Sequence, residues 1–126
     1  MKALLSGSVL WSFDAEVKLR NRNNDISFHV SGVRPFHCHI GEIHLTENSI
    51  CLTGEDELVI PLEHLSQLYL GFDDIYTPSL SKNLGLFWQP LRLTMDDERL
   101  IYLIIDYNFL GSKNKMWFDN LTKMLS

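Results

Sequence analysis

The sequence predicts a mainly β domain, a set of antiparallel strands closed by one C-terminal amphipathic helix. Three observations carry this. A long stretch near the N-terminus alternates apolar and polar residues. Several shorter alternating stretches follow, separated by turns rich in Asn, Asp and Gly. After Gly111 the apolar residues recur at helical spacing. The chain has 126 residues, 45% apolar and 21% charged, which fits a single globular domain over residues 1–126.

The first stretch is the clearest. Val9, Trp11, Phe13, Ala15, Val17 and Leu19 are apolar, while Ser8, Ser12, Asp14, Glu16, Lys18 and Arg20 are polar; only Leu10 breaks the rule. A period of two puts one set on the core and the other in water. Such a strand belongs to an antiparallel sheet, since parallel strands are buried on both faces. Asn21 to Asp25 then reads as a turn, because Asn and Asp tolerate left-handed backbone angles. Ile26, Phe28 and Val30 alternate in turn, so residues 1–33 read as an N-terminal hairpin.

Ile43 and Leu45 resume the pattern, followed by a turn at Thr46 to Asn48 and by Ile50 and Leu52. A second turn at Gly54 to Asp56 leads to Leu58, Ile60 and Leu62. Leu65, Leu68, Leu70 and Phe72 form the next strand, after one helical turn near Glu63 to Ser66. Asp73 to Gln89 shows no period over about 17 residues, longer than most connections. Leu91, Leu93 and Met95 alternate again, and Asp96 to Arg99 is an acidic turn. Leu100 to Ile105 is apolar without a break, as expected of a central strand covered on both faces. Ser112 is placed to cap a helix. Trp117, Leu121, Met124 and Leu125 form its apolar stripe, with Lys115, Asp119 and Lys123 opposite. The pattern counts about eight strands and one C-terminal helix.

The formal net charge is -5, from 16 acidic and 11 basic residues. This argues against nucleic acid, whose binders draw most of their affinity from neutralising phosphates. It argues equally against nonspecific adhesion to anionic membranes. Cys38 and Cys51 form no CxxC and read as buried thiols of a reducing compartment. The apolar N-terminal run is broken at Ser6 to Ser8 and followed by Asp14 and Glu16, unlike a signal peptide. No window approaches the ~18 to 20 apolar residues that span a bilayer. The expected location is cytoplasmic, where the sequon at Asn120 has no role.

Two segments resemble a known family. GEIHLTENSI at 41–50 is similar to the G-x-L-x-L-T-x-x-x-L hairpin of GRAM and related pleckstrin-homology-like domains. LVIPLEHLSQL at 58–68 resembles the I-P-L-x-x-I strand that follows there. The likeness covers roughly residues 40–125, and the N-terminal hairpin would be an elaboration adding a strand to the family's seven. It implies a roll or partly open barrel of about seven to eight antiparallel strands whose helix plugs one open end, in a family that binds phosphoinositides, peptides or proteins and is rarely enzymatic. Fold alone does not choose among these.

Four candidate sites follow. Phe36-His37-Cys38-His39 suggests a metal: in an extended segment the two His would share a face, about 6–7 Å apart. Zinc needs three or four protein ligands, and His29, His44, Cys51 and His64 stand at no recognisable spacing, so no metal or cofactor is expected. The plainer reading is solvent-facing His with Cys38 buried. Lys18, Arg20 and Arg22 loosely mimic the basic K-x(n)-K/R-x-R pattern of the resembled family's headgroup pocket, and clustered cations can clamp a phosphate. The following strand lacks the basic residues that pattern places there, and a solvated strand face is the plainer reading. Tyr76, Phe87 and Trp88 lie on the long connection, where aromatics make good contacts for a protein partner or else finish the core. The carboxylates at Asp73-Asp74 and Asp96 to Glu98 do not identify a catalytic pair. No nucleophile elbow or Gly-rich phosphate loop is present, so the chain is not expected to be an enzyme. The expected function is non-enzymatic binding of a protein or peptide, or of a second copy, at an open sheet edge. The alternatives are a lipid headgroup held by Lys18, Arg20 and Arg22, and a small apolar ligand inside the barrel.

Overall fold

A computed structural model describes residues 3–23, 37–77, 89–108 and 111–125. Seven strands form one antiparallel sheet: β1 (Leu5–Phe13), β2 (His39–Leu45), β3 (Ser49–Gly54), β4 (Leu58–Pro61), β5 (Leu65–Leu70), β6 (Leu91–Met95) and β7 (Leu100–Ile105). Two helices accompany them, α1 (Asp14–Asn23) and α2 (Asn114–Leu125), with a 3-10 turn at Leu62–His64.

The strand order is β4-β3-β2-β1-β7-β6-β5. β4 and β5 therefore stand at opposite edges, yet only the 3-10 turn separates them in the chain. A flat seven-stranded sheet would hold its edges about 29 Å apart. The turn and its two junctions reach about 15 Å at most. The sheet must curl, and it does so into a half-barrel with α2 packed against it.

The inner face repeats the alternation seen in the sequence. Val9 and Trp11, Ile43 and Leu45, Ile50 and Leu52, Leu91 and Leu93, and Ile101, Leu103 and Ile105 all point into one core. From α2, Trp117 and Leu121 enter that core and are fully buried. A second core lies on the outer side, where Leu10, Val17, Tyr76, Tyr102 and Ile104 meet. It accounts for both irregularities in the pattern: Leu10 faces this outer core, and β7 is apolar throughout because it serves both.

Residues 14–20 do not continue the first strand. β1 ends at Phe13, and α1 begins at Asp14. Two acidic residues in the first turn favour a helix start. Glu16 Oε1 accepts a hydrogen bond from the Phe13 backbone N–H at 2.8 Å, the Glu half of a capping box. Lys18 approaches Asp14 one turn back at 4.0 Å. Of the apolar residues assigned to a core face there, Val17 is buried, but Ala15 and Leu19 are exposed. The second strand expected at Ile26 to Val30 lies outside the described residues.

The cysteines also differ from expectation. Both are free, with Cys38 exposed and Cys51 half-buried. Register explains Cys38: His39 pairs with Trp11, which faces the inner core, so the preceding residue is turned the other way. The helical turn expected near Glu63 appears at Leu62–His64, and Ser112 Oγ accepts the Asn114 N–H at the start of α2, 3.3 Å away.

Candidate functional site

The outer edge of β5 has no strand partner among the described residues. α2 runs beside it, and the two enclose a groove of about 480 Å³ lined by Leu65, Ser66, Gln67, Leu68, Phe118, Thr122 and Leu125. Half-buried Leu65, Leu68 and Phe118 make its floor, while Ser66, Gln67 and Thr122 are exposed around it. β5 carries a register shift between Leu65 and Gln67, and Ser66 Oγ donates to the Thr94 carbonyl at 3.2 Å. An unpaired strand edge offers backbone donors and acceptors in a row, and an apolar floor beside it takes alternate side chains of an added strand. Around the 3-10 turn, a second depression on the β4 side is bounded by Pro61, Leu62, Met124 and Leu125.

The basic candidates do not keep the alignment a strand would give them. Positions 18, 20 and 22 lie on α1, where each step of two turns the backbone by about 200°. Lys18 is exposed and faces Asp14; the side chains of Arg20 and Arg22 lie outside the described residues. Tyr76 is fully buried, its ring 5.4 Å from that of Tyr102. Phe87 and Trp88 lie outside the described residues. Among the described residues no group of three or more His, Cys, Asp or Glu side chains is arranged to hold a metal ion, and no helix is long and apolar enough to cross a membrane. No protein-family model and no curated protein matches this chain.

Asp73 anchors the start of the long connection. Its Oδ1 accepts from the Ile75 and Tyr76 backbone N–H groups at 2.8 and 2.7 Å. Its Oδ2 accepts from Tyr102 OH at 2.8 Å and Arg92 Nη1 at 3.0 Å. Burial alone would raise its pKa, but these bonds outweigh it and hold the carboxyl below its ordinary value. Burial, then the bond to Asp73, keeps the Tyr102 hydroxyl well above its own. Arg92 also donates to Gln67 Oε1 at 3.1 Å and lies over the Tyr69 ring. This is a structural knot: an ionised carboxylate whose oxygens are committed to four donors does not serve as a general acid.

The second cluster was not legible in the sequence. His39 stacks on Trp11 at 4.1 Å and meets Phe13 edge-on. Its Nε2 lies 2.9 and 2.8 Å from the two Glu16 carboxylate oxygens, and its Nδ1 lies 2.6 Å from Asp56 Oδ2. Burial pulls the His39 pKa down, but the bonds to Asp56 and Glu16 raise it more, and it ends above its ordinary value. Cys38 beside it is also raised, first by desolvation of its thiol and then by Glu16, so it is no activated nucleophile. The three partners stand on β2, α1 and the β3–β4 turn, and only the fold brings them together.

Proposed function

We propose that this domain is a non-enzymatic interaction module of the pleckstrin-homology-like kind, taking an extended peptide as an added strand on β5. The observation that carries the reading is the β5–α2 groove, where a strand edge unpaired among the described residues lies beside an apolar floor. The assignment to the pleckstrin-homology-like kind is supported by the seven-strand order, the half-barrel curl and the terminal helix packed against it. A small apolar ligand would need space on the concave face, which Trp117 and Leu121 fill. Among the described residues no cluster suited to acid–base or nucleophilic chemistry favours an enzyme.

The test is selection from a random decapeptide display library, followed by mapping of the bound peptide through backbone amide shifts. Selected peptides are expected to perturb residues of β5 and α2. Thr122→Trp, which narrows the groove, is expected to weaken them at least tenfold, about 1.4 kcal/mol. Peptides that map elsewhere, or a library that enriches nothing, would sink the reading. Binding of phosphoinositide vesicles that is lost on changing Lys18, Arg20 and Arg22 to Ala would replace it with the headgroup alternative.

A further inference from the structure

We propose that His39 is a pH-operated latch for α1: as an imidazolium bridging Glu16 and Asp56 it holds the helix against the sheet, and loss of its proton releases it. The geometry favours the charged form. Both ring nitrogens lie within hydrogen-bond distance of a carboxylate, Nε2 at Glu16 and Nδ1 at Asp56. A neutral imidazole carries one N–H and can donate to only one of them. The other nitrogen would then set a lone pair against carboxylate oxygen. Protonation satisfies both contacts and places a cation over the indole of Trp11, a favoured arrangement.

Among the described residues, little else ties α1 down. Val17 is its fully buried apolar side chain, and Asp14 Oδ1 accepts from the Leu100 N–H at 3.4 Å. Lys18 and Leu19 face solvent. Among the described residues, the ionisable surroundings of His39 are Glu16, with Asp14 and Lys18, from α1; Asp56, flanked by Glu55 and Glu57, from the β3–β4 turn; and His37 and Cys38, which precede it in the chain. Arg99, from the β6–β7 turn, lies over the Phe13 ring that His39 meets edge-on. Among the described residues only carboxylates bond the imidazole directly. A His raised above its ordinary value in the folded state contributes stability that is complete below its unfolded pKa and lost as pH rises through the folded one. The helix is therefore docked in mild acid and freed on the alkaline side of the His39 midpoint. Release would uncover Leu10, Tyr102 and Ile104, the outer core on which Val17 packs.

The experiment follows His39 through its Cε1 proton by NMR while measuring amide-exchange protection in α1, corrected for intrinsic rates. Protection at residues 17–20 is expected to fall at least tenfold as pH rises through the His39 midpoint. Glu16→Gln is expected to lower that midpoint, and Asp56→Asn, on an exposed turn, to lower it as well. His39→Gln, with the circular dichroism of the sheet retained, is expected to remove the pH dependence. Protection that is equal on both sides of the midpoint, or a midpoint that neither Glu16→Gln nor Asp56→Asn moves, overturns the proposal.

Discussion

Asn114 shows how much one side chain can carry. It is almost fully buried. Its Oδ1 accepts from the Ile105 N–H at 2.7 Å, and its Nδ2 donates to the carbonyls of Gln89 and Leu103 at 2.7 and 3.0 Å. One amide thus joins the first turn of α2 to β7 and to the end of the long connection. Asn114→Ala would strand three backbone groups, at about 1–3 kcal/mol for each that water cannot reach. A loss of about 3 kcal/mol is expected in urea denaturation. Asp73 makes a second prediction at this scale. Its folded pKa is lowered, so its contribution is present above the unfolded value and lost as pH falls through the folded one. Part of the acid destabilisation below the ordinary carboxylate pKa should therefore vanish in Asp73→Asn, as followed by thermal melts from pH 6 to pH 2. The Asn114 role could not be read from the sequence, since its partners are fixed only by how separate segments meet; Asp73 bonds Ile75 and Tyr76 locally, but its bonds to Arg92 and Tyr102 depend on the fold.

At the scale of the element, a pattern of two was legible wherever the sheet made it true. β2, β3, β6 and β7 stand where alternation or an unbroken apolar run placed them, and α2 buries Trp117 and Leu121 as its spacing implied. The pattern failed at residues 14–20 because alternation was judged by residue type alone. Ala15 and Leu19 needed no burial, and the helix start was announced only by Asp14 and Glu16. The two readings of Leu19 differ measurably. At 57% exposure, Leu19→Ser should change stability by no more than about 0.5 kcal/mol, where a core Leu would cost about 2–5 kcal/mol on truncation. Between β2 and β3 the chains approach closely at Gly41, which pairs with Gly54. A Cβ at Gly41 would fall 1.8 Å from the Thr53 carbonyl oxygen. Gly41→Ala must push the two strands apart, and a loss of at least about 2 kcal/mol is expected by denaturation.

For the molecule as a whole, composition and alternation were enough to indicate an antiparallel sheet with a terminal helix, and the family resemblance of residues 41–68 added its curl. The candidate site was less visible. The β5–α2 groove depends on which strand ends at an edge, and strand order is not written in any local pattern. β1 illustrates this. It lies at the centre of the sheet, between β2 and β7, and the contact of Ser8 with Asp106 spans 98 positions. A nascent chain can zip β2, β3 and β4 as hairpins while it is being made, but β7, the partner that completes β1, emerges only after β2 to β6. Folding should thus be slow for a domain of this size, on the order of milliseconds to seconds. Until β7 arrives, the half-made sheet presents the open side of β1 to whatever other chains are near.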